Sequence, residues 1–462
     1  DSNVGVPAFD PAAPVQPTGP GGFGTGASAP TREAIGKPKK SGSPLGIIAG
    51  IAVLIAALAG GGFYLFGGGD DSEETDGQTQ GGGEGKTGEE TSGGGSTGTG
   101  GSAKFMGYQL TVGPEGNFKT LAAMLKYLRT NKSKYRDSRN SRIFVTVLPD
   151  TYSESLVIDN TDHKIYPNGI KLKVEGDSPA VLVPSGNGPV VKLTDVENFL
   201  LEGFQIDASA RDVAVELKGD LDRSLLKNVT ISGYSKSGIH SNGASGRLDE
   251  EFVIEDVHFQ PSGGNSVGIV FAESNASRIY MKGCRFLGPQ NSAIVFEEGA
   301  SEVIVRDSII SQAGIGITFA GTESVVRNVE IFNTTFYDCS KAGLHFSSAP
   351  ASRSFGLAVH RNIFSRLGGA EAIVATGYEL KAFQRFLASG GGGIQYNWSD
   401  RQAAADQKTE WEVILRPEQR VGQISFVSTD ANSPDFLRPP TLFNGFRPGG
   451  GSQRFPGAVK PK

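Results

Sequence analysis

Two carboxylates, Glu273 and Glu298, stand 25 residues apart in this 462-residue chain. If a repeat of that length stacks them in adjacent layers they lie about 5 Å apart. At that separation they could work as an acid and nucleophile pair or share a Ca²⁺ ion. A solvated turn bearing two weakly repelling charges fits the same residues, because the next positions of the column, Gly321 and Ser348, bring no basic partner. His240 and His345 share another column but stand four layers apart, about 19 Å, too far to act together. Asp249, Glu250 and Glu251 form an acidic turn whose plain role is a solvated loop. The two cysteines, Cys284 and Cys339, fall two layers apart, about 10 Å, beyond the ~7 Å reach of a disulfide. Cys284, beside Gly283 and in the inward phase, reads as a small buried apolar residue. No catalytic residue and no cofactor site is assigned, and a net charge of −5 leaves no basic footprint for nucleic acid.

The layers themselves come from a repeat. Between Phe199 and Phe364 an apolar residue, a turn residue two places on and a second apolar residue three places later recur seven times. The first column holds Leu201, Leu226, Ile254, Met281, Val305, Ile331 and Val359, and the second apolar column holds Ile206, Ile231, Phe259, Phe286, Ile310, Phe336 and Phe364. Between them stand Gly203, Asn228, Asp256, Gly283, Asp307, Asn333 and Arg361, spaced 25, 28, 27, 24, 26 and 28 apart. Gly, Asn and Asp suit such corners because they tolerate left-handed backbone angles. A third column reads Val190, Val215, Ile239, Ile269, Ile294, Ile317, Leu344 and Ile373, followed two places on by Leu217, Phe271, Phe296, Phe319 and Phe346. Alternation of period two excludes helical repeats and predicts parallel strands in a stacked solenoid, whose unit cannot bury its apolar face without neighbours.

These columns resemble the right-handed parallel β-helix of the pectin lyase-like superfamily. The resemblance extends upstream through Val112, Gly116, Phe118, Thr120 and Leu121 into Leu121, Met124, Leu125 and Leu128, spaced for one face of a helix. In the family such a helix caps the open end of the solenoid. The run Val147-Leu148-Pro149-Asp150-Thr151-Tyr152-Ser153-Glu154 is similar to the family's opening, with Asp150 where Gly is usual, and Asp430 to Pro440 with Pro456-Gly457-Ala458 is similar to its closing segment. The resemblance spans Tyr108 to Lys462. It implies a solenoid groove suited to extended sugars and, as an alternative, a polysaccharide lyase or hydrolase. The family's catalytic patterns are absent: Asn-Thr-Asp and Asp-Asp of polygalacturonases, Gln-Asp-Thr and Gly-Arg-Pro-Trp of pectin methylesterases, Trp-Ile-Asp-His of pectate lyases.

Upstream the composition changes twice. Residues 45–66 carry no charge, enough at 1.5 Å each to cross a ~30 Å hydrocarbon core as a transmembrane helix. Arg32, Lys37, Lys39 and Lys40 precede the run while Asp70, Asp71, Glu73 and Glu74 follow it, which orients the N-terminus to the cytoplasm and the solenoid outside. A signal peptide cleaved near Ala57-Leu58-Ala59 is the rival, disfavoured by the long upstream stretch and by the continuing Phe63-Tyr64-Leu65-Phe66. Residues 67–104, rich in Gly, Ser, Thr and Glu, and residues 1–44, punctuated by Pro11, Pro14, Pro17 and Pro20, read as disordered linkers. The four expected parts are therefore 1–44, 45–66, 67–104 and a β-helix domain over 105–462 with an irregular C-terminal segment. The layout resembles the outer part of a bacterial receptor-type serine/threonine kinase, although no kinase motif is present here.

Two outward columns complete the pattern. Glu202, Lys227, Glu255, Lys282 and Arg306 place opposite charges one strand apart, a solvated face that fixes register. Leu200, Leu225, Val253, Tyr280 and Ile304 form an apolar stripe that needs a cover, either a partner or, as the favoured element, the irregular C-terminal segment in which Leu380, Phe383, Phe386 and Leu387 have helical spacing. The sequence thus points to a membrane-anchored, extracytoplasmic β-helix binding or sensor module, with a purely structural surface protein as an alternative; the resemblance implies polysaccharide or another surface component as the ligand.

Overall fold

In the computed structural model the described residues are 108–136, 142–165, 168–209, 211–246, 251–272, 276–321, 325–348, 353–367, 371–377, 380–400, 407–408, 412–415, 419–421, 425–439 and 457. The expected transmembrane helix over 45–66, both linkers, Glu273, Asp249 and Glu250 lie outside them. Among the described residues no helix is long and apolar enough to cross a membrane.

Short strands coil into a right-handed solenoid with three parallel ladders. Ladder A runs from Tyr108–Val112 through Ile143–Val147 and Leu200–Glu202 to Gly393–Gln395. Ladder B runs from Thr151–Tyr152 to Gln419–Val421, and ladder C from Leu156–Ile158 to Glu371–Thr376, where an antiparallel strand, Glu412–Leu415, closes the edge. Register matches the first two expected columns at every coil: Leu201 pairs with Leu226, Leu226 with Ile254, and so on to Val359, while Ile206 leads by the same steps to Phe364. The seven turn residues between ladders A and B all have positive φ, from 48° at Asn333 to 85° at Gly203. Asn and Asp tolerate this angle better than most residues; Arg361 adopts it as well, at φ 55°.

The third column needs a correction. Its first member is Val191, which pairs with Val215, and not Val190. Both valines are buried, so the sequence offers no polarity difference to separate them.

Size complementarity sets the interior. Phe259, Phe286, Phe336 and Phe364 on ladder B each reach the ladder C strand of the preceding coil, where the facing residue is Gly238, Gly268, Gly316 or Gly343. A Cβ added at those glycines would meet ring carbons at 2.5–2.8 Å, well inside contact distance. Where ladder B carries Ile231 or Ile310, the corresponding place holds Ala214 or Ala293. The rings also stack along the axis: Phe259 on Phe286 at 4.5 Å, Phe336 on Phe364 at 4.8 Å, and Phe271, Phe296, Phe319 and Phe346 in one file at 5.0, 5.3 and 4.8 Å. Just past each A–B corner a buried column runs Cys284, Ser308, Thr334, Asn362, Asn397. Asn362 donates to Ile331 O and Asn397 donates to Val359 O, while Asn397 Oδ1 accepts from both the backbone and side-chain amides of Asn362. These bonds satisfy polar groups that burial would otherwise penalise. Cys284 and Cys339 are both free and buried, with burial pushing each thiol up to about 12, so neither is a nucleophile.

Both ends are capped. Thr120 accepts from Ala123 N to start the helix Leu121–Thr130, Glu154 accepts from the amides of Leu121 and Ala122, and Leu121, Met124, Leu125 and Leu128 close the N-terminal opening as expected. At the other end Leu380–Leu387 buries Phe383, Phe386 and Leu387, with Phe383 edge-on to Phe346 at 5.0 Å. That helix stoppers the core and does not cover the outward stripe, because its apolar face follows the interior file of rings and not the outer surface. Leu200, Leu225, Val253, Tyr280 and Ile304 remain half-buried. The closing segment packs instead on ladder B, where Phe436 and Leu437 join Ile309 and Tyr337, and Gly457 N donates to Arg361 O.

Candidate functional site

Ladder C presents the most chemically varied outer surface. In one outward column Lys192 pairs with Glu216, and Glu216 with His240, on consecutive coils. Inward neighbours Val191, Leu193, Val215, Leu217 and Ile239 hold those strands in the core, so alternation turns the three polar side chains to solvent. Lys192 Nζ lies 2.6 Å from Glu216 Oε1. The next outward column carries Thr194, Lys218 and Asn242. The side-chain oxygen of Asn242 is shielded from solvent and accepts no hydrogen bond among the described residues. An ammonium, a carboxylate and an imidazole thus follow one another over about 10 Å of sheet. Together they can donate to and accept from hydroxyls, and Glu216 with His240 can carry protons.

The row stops at His240. Farther along the column stand Val270, Val295 and Thr318, then His345, whose Nε2 lies 3.0 Å from Thr376 Oγ1. The four-layer separation of His240 and His345 is as the spacing gave it. Glu298 is exposed at the end of its ladder C strand, while Glu273 is not among the described residues, so their pairing has no structural description. Among the described residues no group of three or more His, Cys, Asp and Glu is placed to hold a metal.

Ladder A carries a second charged column with a different character. Lys173 meets Glu202 at 3.0 Å, and Glu255 is gripped by Lys227 at 3.1 Å and Lys282 at 3.3 Å. Partial burial pushes the Glu255 pKa up, but the two lysines win and hold it below the usual carboxylate range. Arg306 turns to Asp307 at 2.7 Å and lies over the Phe332 ring, which stacks on His360; His360 Nε2 is 2.8 Å from Glu330. These charges satisfy each other. On ladder B, His258 and Arg285 are adjacent in register; burial, then the Arg285 charge, push the His258 pKa down, so the imidazole is neutral at pH 7.

The Lys192–Glu216–His240 row was not found from the sequence. The signal was there, since the three residues are spaced 24 and 24 apart, but starting the column at Val190 puts Lys192 out of phase with the other two.

Residues 191–381 match the family model of the right-handed β-helix region. The match begins at the first strand of the polar row. Among solved structures, a pectin methylesterase from Aspergillus niger in a penultimately deglycosylated form is similar at 14% identity and a TM-score of 0.32. The same enzyme in deglycosylated form gives 14% and 0.31; each alignment covers 69% of this chain and 91% of that one. No curated protein matches the chain.

Proposed function

We propose that the chain is a membrane-anchored, extracytoplasmic β-helix module that binds polysaccharide or another cell-surface component, and that the ladder C face is where it binds. The observation that carries this reading is the unbroken outward sequence of Lys192, Glu216 and His240 on three adjacent coils, flanked by Lys218 and Asn242. Residues 45–66 supply the anchor and 67–104 the spacer, a coil with a root-mean-square reach of roughly 35 Å. A glycan array with the detergent-solubilised chain, repeated with Glu216→Gln and His240→Ala, tests the reading. Binding that both substitutions weaken supports it, and equal binding by all three proteins or by none removes it.

A second reading, a polysaccharide lyase or hydrolase, is favoured by one feature: Glu216 lies between an ammonium and an imidazole, a setting in which a carboxylate can pass a proton. Release of unsaturated uronate or reducing ends by the parent, lost in Glu216→Gln, separates enzyme from binder. A further alternative rests on resemblance in layout alone, the outer part of a receptor serine/threonine kinase, which a kinase assay on the immunoprecipitated native protein tests.

A further inference from the structure

Between Asn117 and Arg142 the chain carries eight Lys and Arg against one acidic residue, Asp137, in a protein whose formal net charge is −5. Its described part, residues 117–136, forms the N-terminal cap, and its lysines interleave with aromatic residues: Phe118 beside Lys119, Lys126 beside Tyr127, Lys134 beside Tyr135. The rings gather into one cluster, with Phe118 to Tyr127 at 5.0 Å, Tyr127 to Tyr135 at 6.3 Å and Tyr108 to Tyr135 at 4.6 Å. Tyr135 is buried at its centre, and Tyr108, Phe118 and Tyr127 are half-buried around it. Lys119, Lys126, Lys132 and Lys134 are exposed, and Lys134 Nζ lies 5.6 Å from the Tyr135 ring centroid. Arg129 points the other way, bound by Asp162 at 2.6 Å.

We propose that this lysine and tyrosine end of the solenoid docks on the anionic lipid headgroups of a bilayer. Charge complementarity supplies the attraction: a cluster of lysines is drawn to an anionic leaflet within a Debye length. The ring geometry selects lipid over a stacked polymer. Interplanar angles of 79° and 71° set Tyr108 and Tyr127 edge to face with Tyr135, and Phe118 is tilted at 47° to Tyr127, so the rings are engaged with one another rather than laid out as the parallel platform on which bases stack. Tyrosines with one apolar and one wet end suit the headgroup zone. The anchored reading proposed above brings a bilayer near, because the chain enters the solenoid at Tyr108, on this cap.

The test places the full chain in nanodiscs of phosphatidylcholine alone, or with one-third phosphatidylglycerol, with brominated lipid and the reporter substitution Tyr127→Trp. Quenching of the new tryptophan relative to the two native ones is expected to rise about twofold or more with the anionic lipid. It should return to the neutral-lipid level in Lys119→Glu/Lys126→Glu/Lys134→Glu, or in 0.5 M salt. The matching Lys→Gln triple variant checks folding by its melting curve and is expected to lose most of the rise. Equal quenching in both lipids, or quenching relieved by soluble heparin but unaffected by lipid charge, overturns the proposal. Failure of the chain to enter the discs overturns the anchor reading alone. Sedimentation with vesicles of the same two compositions then decides the docking surface, with binding only to the anionic vesicles supporting it and equal or absent binding overturning it.

Discussion

The two halves of ladder C are built to different ends. From Phe271 onward the interior file is four stacked phenylalanines, and the outer positions over them are Val270, Val295, Thr318 and His345, the last held by Thr376. Before it the file reads Leu193, Leu217, Ser241, and the outer positions are Lys192, Glu216 and His240. Ser241 is buried, and its hydroxyl finds no partner among the described residues. The tight half is scaffold, where each ring fixes the next. The polar half carries the chemistry outside, and beneath it the interior file has aliphatic residues and one serine in place of the ring stack.

Breaking the tight half should have the largest effect. Phe296 lies between Phe271 and Phe319, and Phe296→Ala is expected to cost about 3–5 kcal/mol in denaturant melts through the cavity it leaves. A loss under about 1 kcal/mol would show that the stack is not what holds these coils.

The polar half should respond with the opposite sign. Ser241→Ala removes an unpaired buried hydroxyl and is expected to leave stability unchanged or raise it by about 1 kcal/mol. A clear loss would mean that the hydroxyl has a partner in solution and that the two halves are packed alike.

Acid should expose a further difference, located at His258 and separable from His240. Burial and Arg285 lower the folded-state pKa of His258, so the unfolded chain takes up the proton first. Its contribution is therefore present above the unfolded value of about 6.5 and is lost as pH falls through the folded value. Melts between pH 7 and 5 should show this decline, reduced in His258→Gln; an unchanged slope in the variant would show that His258 is not its source.

The smallest effects on stability belong to exposed carboxylates. Glu216→Gln should change stability by no more than about 1 kcal/mol, since its partner Lys192 is a solvent-facing ion pair, while glycan binding falls. Millimolar calcium should leave the melting temperature of the parent and of Glu298→Gln alike. A calcium-dependent rise in the parent that vanishes in the variant would move the site to the Glu273 and Glu298 end of the sheet.

Ladders A and B were legible in the sequence because each coil marks its corner with a residue suited to positive φ, which fixes phase independently of the apolar pattern on either side. Ladder C has no such mark before Val191, and two adjacent buried valines made the phase ambiguous by one residue, enough to turn Lys192 to the wrong face. The N-terminal cap was legible from the spacing of Leu121, Met124, Leu125 and Leu128. The helix Leu380–Leu387 was legible as a helix but not in its destination, because spacing defines an apolar face without naming the surface it meets. The buried Asn362 and Asn397 pair was invisible, since its value lies in bonds between coils rather than in any local pattern.

The pairing of Gly with Phe and of Ala with Ile across successive coils also bears on how such a chain can be rearranged. Each coil carries on ladder C a socket sized for the next coil's ladder B side chain, so neighbours are matched in one direction only. Moving Phe336 and its coil to follow Ala293 would drive a ring into a methyl group, whereas moving Ile310 to follow Gly316 would leave a void. Transplanted coils must therefore travel with their upstream neighbour, and a slip of one whole turn during folding is penalised wherever the sizes alternate. The order of the coils is written in their own volumes.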